Sequence, residues 1–260
     1  MPLPLQLSQS ALAVLERCPR KFQHRYLDQL TDFVPSDQRD RMEWGNQFHQ
    51  LMQQRELGLP ISAAAEDELL RCVEALVNTV PDVFDREQWR DRFSEHRRLW
   101  RMGDVLLTVV YDLLLLGDRQ AHIIDWKTYP RPQRSDWLAQ HWQTRLYPYV
   151  LAETSEYEPE QIAMTYWFVQ PQLESPRPES ITFPYSTEQH QRIHAALTQQ
   201  FDQLEQWLSD YYKEIPLPML PETAPECQSC PFAVRCQRGA FGKAAPDALT
   251  DLDAIEEVAL

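Results

Sequence analysis

Two apolar stretches joined by a short polar turn form the strongest pattern in the chain. Residues 105–116 are rich in leucine and valine, and the apolar character resumes at residues 122–124, after Gly117 and Asp118. Apolar, partly β-branched runs on either side of a Gly-Asp turn are typical of a β-hairpin. The pattern therefore predicts two neighbouring antiparallel strands near the middle of the chain.

Apolar side chains recur at helical spacing in several other stretches, and these predict helices over residues 8–30, 43–56, 63–80, 135–153 and 186–212. Pro19 interrupts the first pattern, so we expect two short helices that meet near Cys18. Ser135 is the expected N-cap of the fourth helix. Further strands are predicted at residues 93–100, as an edge strand, and at 161–170 and 179–185.

Charged side chains at the end of the hairpin carry the first candidate chemistry. Residues two apart on a strand point to the same face, so Asp125 and Lys127 are expected to lie together, flanking Trp126. Asp112 joins them if the hairpin register allows. Two carboxylates and an ammonium group suit a divalent metal beside a phosphate. The alternative is a solvated charged face, but the apolar flanks argue against it because unpaired buried charge is costly.

The cysteines carry the second candidate chemistry. Cys227, Cys230 and Cys236 lie within ten residues, while Cys18 and Cys72 stand alone. In a chain expected to be cytoplasmic, this spacing favours a metal over disulfides. Cys72 fits the apolar face of a helix, so Cys18 is the expected fourth ligand. The thiolates could hold a zinc ion or an iron–sulfur cluster, and reduced free thiols are a third alternative.

Composition and charge limit the other function classes. The chain has 260 residues and a formal net charge of -14, which opposes nonspecific DNA binding unless basic patches dominate locally. No apolar run approaches the about 20 residues that a membrane span requires, and the N-terminus does not resemble a signal peptide. We expect a cytoplasmic protein with one domain over residues 1–240 and an acidic tail over residues 241–260.

At Asp112, Asp125 and Lys127 the chain resembles the PD-(D/E)XK nuclease superfamily, whose signature is an acid, a variable gap, then Asp or Glu, any residue and Lys. Val109 departs from the Gly that often precedes the first acid by three positions. Two further motifs resemble the RecB-like branch of the superfamily: Gly45-x-x-x-His49 and Gln143-x-x-x-Tyr147.

This resemblance implies an α/β, restriction-endonuclease-like fold, with a mixed sheet flanked by helices. It implies Mg²⁺ or Mn²⁺ held by His49, Asp112, Asp125 and the carbonyl of Trp126. Lys127 would orient or deprotonate the attacking water, while Gln143 and Tyr147 would hold Lys127 and the DNA strand. Glu95, an acid before the first core strand, is a weaker candidate for the metal site.

The cysteine pattern resembles the iron–sulfur staple of AddB-type and CRISPR-associated RecB-like nucleases. Ser8-x-Ser10 precedes Cys18-Pro-Arg-Lys-Phe22, and Cys227-x-x-Cys230 precedes Cys236 by six residues. The resemblance implies a 4Fe–4S cluster ligated by Cys18, Cys227, Cys230 and Cys236. The cluster would join residues 8–30 to residues 225–240.

These expectations together predict a metal-dependent DNA nuclease, most consistent with an exonuclease in DNA repair, recombination or CRISPR adaptation. The chain lacks the Gly-x-x-x-x-Gly-Lys-Ser/Thr motif of helicases, so unwinding of duplex DNA would need a helicase partner. Two alternatives belong to other classes: a noncatalytic DNA-binding or assembly module that retains the fold and cluster, and a zinc-stapled scaffold that binds a protein.

Overall fold

A six-stranded mixed sheet lies at the centre of the fold in a computed structural model that describes residues 4–31, 36–61, 67–85, 87–169 and 177–238. The predicted acidic tail, residues 241–260, lies outside the described residues. The strands are β1 (Leu5–Leu7), β2 (Asp91–Met102), β3 (Val105–Leu116), β4 (Ala121–Lys127), β5 (Ile162–Phe168) and β6 (Glu179–Pro184).

The strand order is β1-β3-β4-β5-β6, with β2 along the other edge of β3. β1 pairs with β3, and β4 with β5, in parallel; the other pairs are antiparallel. The predicted hairpin is confirmed as β3 and β4, and the amide of Gly117 donates to the carbonyl of Gln120 at 2.8 Å to close the turn. β2, predicted as an edge strand, pairs only with β3 among the described strands and is longer than predicted.

Two strands divide one edge of β3 between them. β2 follows β3 along its full length, so β1 and β4 must share the opposite edge. There β1 pairs with residues 105–107 of β3 and β4 with residues 113–116. Residues 108–112 therefore have no strand partner on that edge within the described sheet. Asp112 lies at one end of this gap.

Helices cover both faces of the sheet and enclose two apolar cores. One face packs against α1 (Gln9–Arg17), α7 (Trp142–Glu153) and α8 (Thr187–Tyr211). The other packs against α3 (Ser36–Glu56), α4 (Asp67–Thr79) and α5 (Pro81–Phe84). Two short helices, α2 (Pro19–Phe22) and α6 (Asp136–Gln140), complete the described set. None of the described helices is long and apolar enough to cross a membrane.

The predicted junction near Cys18 is confirmed. α1 begins after Ser8, whose hydroxyl accepts a hydrogen bond from the amide of Ala11 at 3.4 Å. Cys18 ends α1 and caps α2, because its sulfur accepts from the amide of Lys21 at 3.4 Å. Pro19 occupies the first turn of α2, where a missing amide proton costs nothing. A π-helical turn, Gln23–Leu27, follows.

Two helix predictions need correction. The single helix predicted over residues 135–153 is wrong: α6 and α7 are separate because His141 between them is extended, with ψ of 141°. The Thr144 hydroxyl donates to the Leu138 carbonyl at 2.6 Å and so satisfies an acceptor that a continuous helix would have used. Ser135 makes no capping bond with its side chain. α3 starts at Ser36, seven residues before its predicted start at residue 43.

Candidate active site

Asp112 and Asp125 lie where the two hairpin strands separate. The last pair of the β3–β4 ladder is Leu113 with Ile124, so the two acids occupy the next position on each strand. Asp112 is 3% exposed and Asp125 is fully buried. A carboxylate oxygen of Asp112 accepts from the amide of Trp126 at 2.7 Å. The hairpin register therefore brings both predicted acids to one site.

Lys127 is paired with the buried acid rather than exposed on a strand end. Its Nζ lies 2.7 Å from Oδ1 of Asp125, and the lysine side chain is only 14% exposed. Gln143, on α7, donates from Nε2 to Oδ2 of the same carboxylate at 2.5 Å. Gln143 thus acts on Lys127 through the carboxylate that they share, which fixes the orientation of the Asp125 side chain.

Tyr166 supports this arrangement, and the sequence analysis missed it. It pairs with Asp125 in the parallel β4–β5 register. Its hydroxyl lies 2.8 Å from Oγ1 of Thr144 and 3.5 Å from Oε1 of Gln143, and the Nζ of Lys127 lies 5.4 Å from its ring centre. Burial, together with the charge of Asp125, raises the pKa of Tyr166 well above its usual value, so the phenol stays protonated. Only strand pairing, which local sequence does not reveal, could have identified it.

His49 brings α3 into the site. Its Nε2 donates to the carbonyl of Trp126 at 3.1 Å, while Nδ1 lies 3.4 Å from Asp112 and 3.8 Å from Glu95. One ligand atom from each of His49, Glu95 and Asp112 lies within 4.8 Å of the others. Burial opposes a charge on His49, but the neighbouring carboxylates outweigh it and raise the pKa of His49 well above its usual value. These atoms can hold either a proton or a metal cation between them.

Glu95 occupies a strained position in β2. Its φ of 50° lies in the left-handed region, which costs a residue with a side chain of the order of 1–3 kcal/mol. Glu95 falls opposite Asp112, since the β2–β3 pairs on either side are Ser94 with Leu113 and His96 with Tyr111. The Ser94 hydroxyl donates to the Asp112 carbonyl at 3.1 Å. The structure thus places this weaker candidate among the acids of the site.

Gly45 allows α3 to approach the end of β4. A Cβ atom at this position would lie 3.2 Å from Oγ1 of Thr128, a contact tighter than side chains normally make. His49 follows one helical turn later, on the same side of α3. The glycine of the Gly-x-x-x-His motif therefore sets how closely the imidazole approaches Asp112.

Gly45→Ala is expected to lower metal affinity and cleavage rate by roughly 10-fold, since a displacement of about 1 Å at a catalytic site can cost about 100-fold. Global stability should change little, because alanine favours helix over glycine. Isothermal titration with Mn²⁺ and a cleavage assay would measure both effects. Gln47→Ala, at an exposed position of the same helix, is the control. Equal metal affinity in Gly45→Ala and wild type would show that the close approach is not needed.

Tyr147 lies on α7 one helical turn beyond Gln143. Its ring packs edge-on against Tyr111, with 5.4 Å between ring centres. The Tyr111 hydroxyl donates to the backbone carbonyl of Tyr147 at 3.0 Å. Tyr147 also lines a cavity between α1 and β3. The structure therefore places Tyr147 against Tyr111 of β3 and at the wall of this cavity.

The four predicted cluster cysteines come from the two ends of the described chain. Burial, with a contribution from the nearby Cys18 thiol, raises the pKa of Cys227, Cys230 and Cys236. No three cysteine sulfurs in the described ranges lie within 4.8 Å of one another. Cys72 is fully buried in α4 as predicted, and burial raises the pKa of its thiol to about 11.

Hydrogen bonds that do not involve cysteine join the N-terminal and C-terminal parts of the described chain. The backbone amide of Leu217 donates to Oε1 of Gln23 at 2.8 Å, and Nε of Arg20 donates to the Leu217 carbonyl at 2.7 Å. Farther along, Sγ of Cys236 lies 3.7 Å from Nε2 of His24. The segment that carries the last three cysteines is therefore docked on α2 and the π-helical turn.

Comparison with known proteins identifies the family. The sequence model of the PD-(D/E)XK nuclease superfamily matches residues 6–237. No curated protein matches the chain. Among solved structures, one described as a "putative exonuclease" from Eubacterium rectale superposes with a TM-score of 0.53 at 10% identity, covering 96% of this chain and 93% of that one. The structure of SSO0001 gives a TM-score of 0.37 at 13% identity, over 89% and 85% of the two chains.

The first of these structures supports the fold alone, because its identity is low. The family match extends from β1 to the last cysteine, across every element that contributes to the site. The superfamily consists of phosphodiester hydrolases that use divalent metals, and its members suggest DNA as a substrate. The chain belongs to the PD-(D/E)XK nuclease superfamily.

Proposed function

We propose that this protein is a Mg²⁺- or Mn²⁺-dependent deoxyribonuclease that acts as an exonuclease. One observation carries the proposal: a possible ligand set of His49, Glu95 and Asp112, all within 4.8 Å, lies beside the buried Asp125–Lys127 pair. An ammonium group beside a cation site is well placed to contact a phosphodiester, whereas a purely structural metal site has no need of it.

The donor atoms fit the proposed metals. Carboxylate oxygens suit Mg²⁺ and Mn²⁺, and a neutral imidazole suits Mn²⁺. Asp112, Glu95 and His49 would hold the ion, with Asp125 and the Trp126 carbonyl beside them. When bound, the ion would neutralise charge on the phosphate and make a coordinated water more acidic.

The protein's own groups would position the substrate and the water. Lys127, fixed by Asp125 at 2.7 Å, would offer a proton donor to a phosphate oxygen or orient the attacking water. Gln143 would hold Asp125 in the orientation that this contact needs. Tyr166 would support Gln143, because its hydroxyl lies 3.5 Å from the amide oxygen of Gln143 and is held at 2.8 Å by the hydroxyl of Thr144. The chain would thus supply a preorganised ion pair whose geometry does not relax during the reaction.

The finer parts of the proposal concern the cluster and the cellular role. A 4Fe–4S cluster on Cys18, Cys227, Cys230 and Cys236 is supported by the contacts of Leu217 and Cys236 with Arg20, Gln23 and His24, which bring the two cysteine-bearing segments together. A cubane also separates its ligands more widely than a single zinc ion does. The cluster would reinforce the docking of the two chain ends. We further propose a cytoplasmic role in DNA repair, recombination or CRISPR adaptation, with a helicase partner where the DNA is duplex.

Cleavage of end-labelled single- and double-stranded DNA tests the proposal. Wild-type protein should cleave DNA with Mg²⁺ or Mn²⁺, and EDTA should stop the cleavage. The ladder of labelled products would show the direction of cleavage along the strand. Asp112→Asn should lose about 100-fold or more of the rate. Asp118→Asn, at an acid 87% exposed in the turn, is the control. DNA binding without cleavage by anaerobically purified wild type would contradict the proposal and favour a noncatalytic module.

Metal binding is expected to release a proton from His49. The raised pKa keeps the metal-free imidazole protonated near neutral pH, whereas a ligand must be neutral. Mn²⁺ affinity should therefore rise with pH above 6.5, the ordinary pKa of histidine. Calorimetry in buffers of different ionisation enthalpy should detect about one proton released per ion near pH 7. His49→Gln should bind more weakly and release none; a wild-type affinity that is independent of pH would contradict the assignment.

A further inference from the structure

A cavity of about 250 Å³ lies between the start of α1 and the open edge of β3. Its lining includes residues with hydroxyl or guanidinium groups from five parts of the chain: Ser8, Ser10, Tyr26, Arg97, Thr108 and Tyr147. The lining contains no aspartate or glutamate, although the chain has 39 of them. A cavity that contains hydroxyl-bearing residues and an arginine but no carboxylates, in so acidic a protein, suits an anion.

Thr108 is the clearest sign that the cavity takes a ligand. It is 8% exposed, and its hydroxyl has no hydrogen-bond partner in the described structure. A buried hydroxyl without a partner costs about 1–3 kcal/mol. Thr108 also falls in the part of β3 that neither β1 nor β4 pairs with. A ligand with an acceptor oxygen would relieve this cost.

The charges around the cavity specify a negatively charged acceptor. The α1 helix starts at its rim, with Ser8 as N-cap and no acidic residue in the first turn, so the helix end carries partial positive charge. Arg97, exposed on β2 opposite Val110, forms no ion pair with any described residue. Hydroxyl donors, a helix N-terminus and a guanidinium group together match the oxygens of a phosphate.

The cavity lies next to the candidate active site. Val110 and Thr108 precede Asp112 on β3 by two and four residues, or about 7 and 13 Å along the strand. Tyr147, one turn after Gln143 on α7, lines the cavity, while Gln143 contacts Asp125. A strand whose phosphate bound at Asp112 could therefore place another phosphate in the cavity.

We propose that this cavity binds a phosphate of the DNA strand other than the one that is cleaved, and so holds the single-stranded backbone in register with the metal site. The proposal rests on the proposed function, because it takes DNA as the occupant. It gives the Ser8-x-Ser10 motif a role in substrate binding in addition to capping α1.

Equilibrium binding separates this role from catalysis. Fluorescence anisotropy of a labelled single-stranded oligonucleotide in EDTA would measure affinity without cleavage. Thr108→Val should weaken binding by about 2- to 10-fold, yet leave the unfolding temperature unchanged or raised, because the buried hydroxyl is removed. Arg97→Gln should reduce the slope of log affinity against log salt by about 0.7. Arg101→Gln, on the same strand but paired with Asp104, is the control.

A methylphosphonate scan would then locate the phosphate. One neutral linkage, moved along the oligonucleotide, should weaken wild-type binding at a position removed from the cleaved bond, and Thr108→Val should abolish that penalty. Wild-type affinity in both Thr108→Val and Arg97→Gln, or absence of DNA binding by wild type, would overturn the proposal. Loss of DNA affinity in these variants would support the cavity proposal even if wild type proved unable to cleave DNA. Such a failure to cleave would refute only the proposed nuclease activity.

Discussion

Lys127→Ala is expected to reduce DNA cleavage by about 1,000-fold or more, because it removes the only ammonium group among the site residues described above. It also leaves the fully buried Asp125 without its ion-pair partner, which can cost about 3–5 kcal/mol. The variant should therefore unfold at a lower temperature than wild type. Cleavage would be measured under single-turnover conditions, beside thermal unfolding with and without Mn²⁺.

A second variant distinguishes lost chemistry from lost stability. Lys127→Arg keeps the positive charge and should recover most of the stability, but its planar guanidinium cannot take the position of a compact ammonium group. Its cleavage rate should stay at least about 100-fold below that of wild type. Lys213→Ala, at an exposed lysine 3.5 Å from Asp210, should behave as wild type. Normal cleavage by a folded Lys127→Ala protein would refute the site assignment.

Cys230→Ala is expected to abolish the visible absorbance of the protein and to lower its unfolding midpoint by about 5–10 °C. The reason is that ligand binding energy contributes to folding where a cluster joins two chain ends. Absorption spectra, iron and sulfide analysis, and thermal unfolding of anaerobically purified protein would measure both effects. The contacts of Leu217 with Gln23 and Arg20 should limit the loss of stability, since they hold the C-terminal segment against α2 and the π-helical turn without a cluster.

The matched control is Cys72→Ala. Cys72 lies on α4, is fully buried, and is distant in sequence from Cys227, Cys230 and Cys236. Its replacement removes a small side chain, costs about 1 kcal/mol, and should leave the absorbance intact. A colourless wild-type protein that contains one zinc ion per chain would contradict the cluster and support the zinc alternative.

Local pattern was enough to predict the hairpin and the acids at its end. The Gly-Asp turn joins two apolar runs, and alternation along β4 places Asp125 and Lys127 on one face, as their 2.7 Å contact requires. The helices around Cys18 also followed from one proline. These features depend on residues that are neighbours in the sequence.

The change of face within β3 could not be predicted in this way. Leu107, Val109 and Tyr111 belong to one core, and Leu114 and Leu116 return to the same core with the alternation shifted by one residue. The shift occurs at Asp112, opposite the left-handed Glu95 of β2. Because its cause lies in a partner strand, the pattern of β3 alone gives no sign of it.

Contacts between distant elements were also beyond the sequence. Gln143 was expected to hold Lys127, and the structure shows it donating to the Asp125 carboxylate that pairs with Lys127. Lys127 appeared to be a charge at a strand end, whereas Asp125 and the ring of Tyr166 surround it in the fold. Such burial arises only when β5 and α7 pack beside β4.

The most direct test of the central claim is hydrolysis of end-labelled DNA by wild-type protein with Mn²⁺ in water enriched in oxygen-18. A metal-dependent phosphodiester hydrolase should release shorter products whose new terminal phosphate carries one heavy oxygen, and EDTA should stop their formation. Mass spectrometry of the products would show this label. Intact DNA, after incubation with folded protein that binds both the metal and the oligonucleotide, would contradict the account.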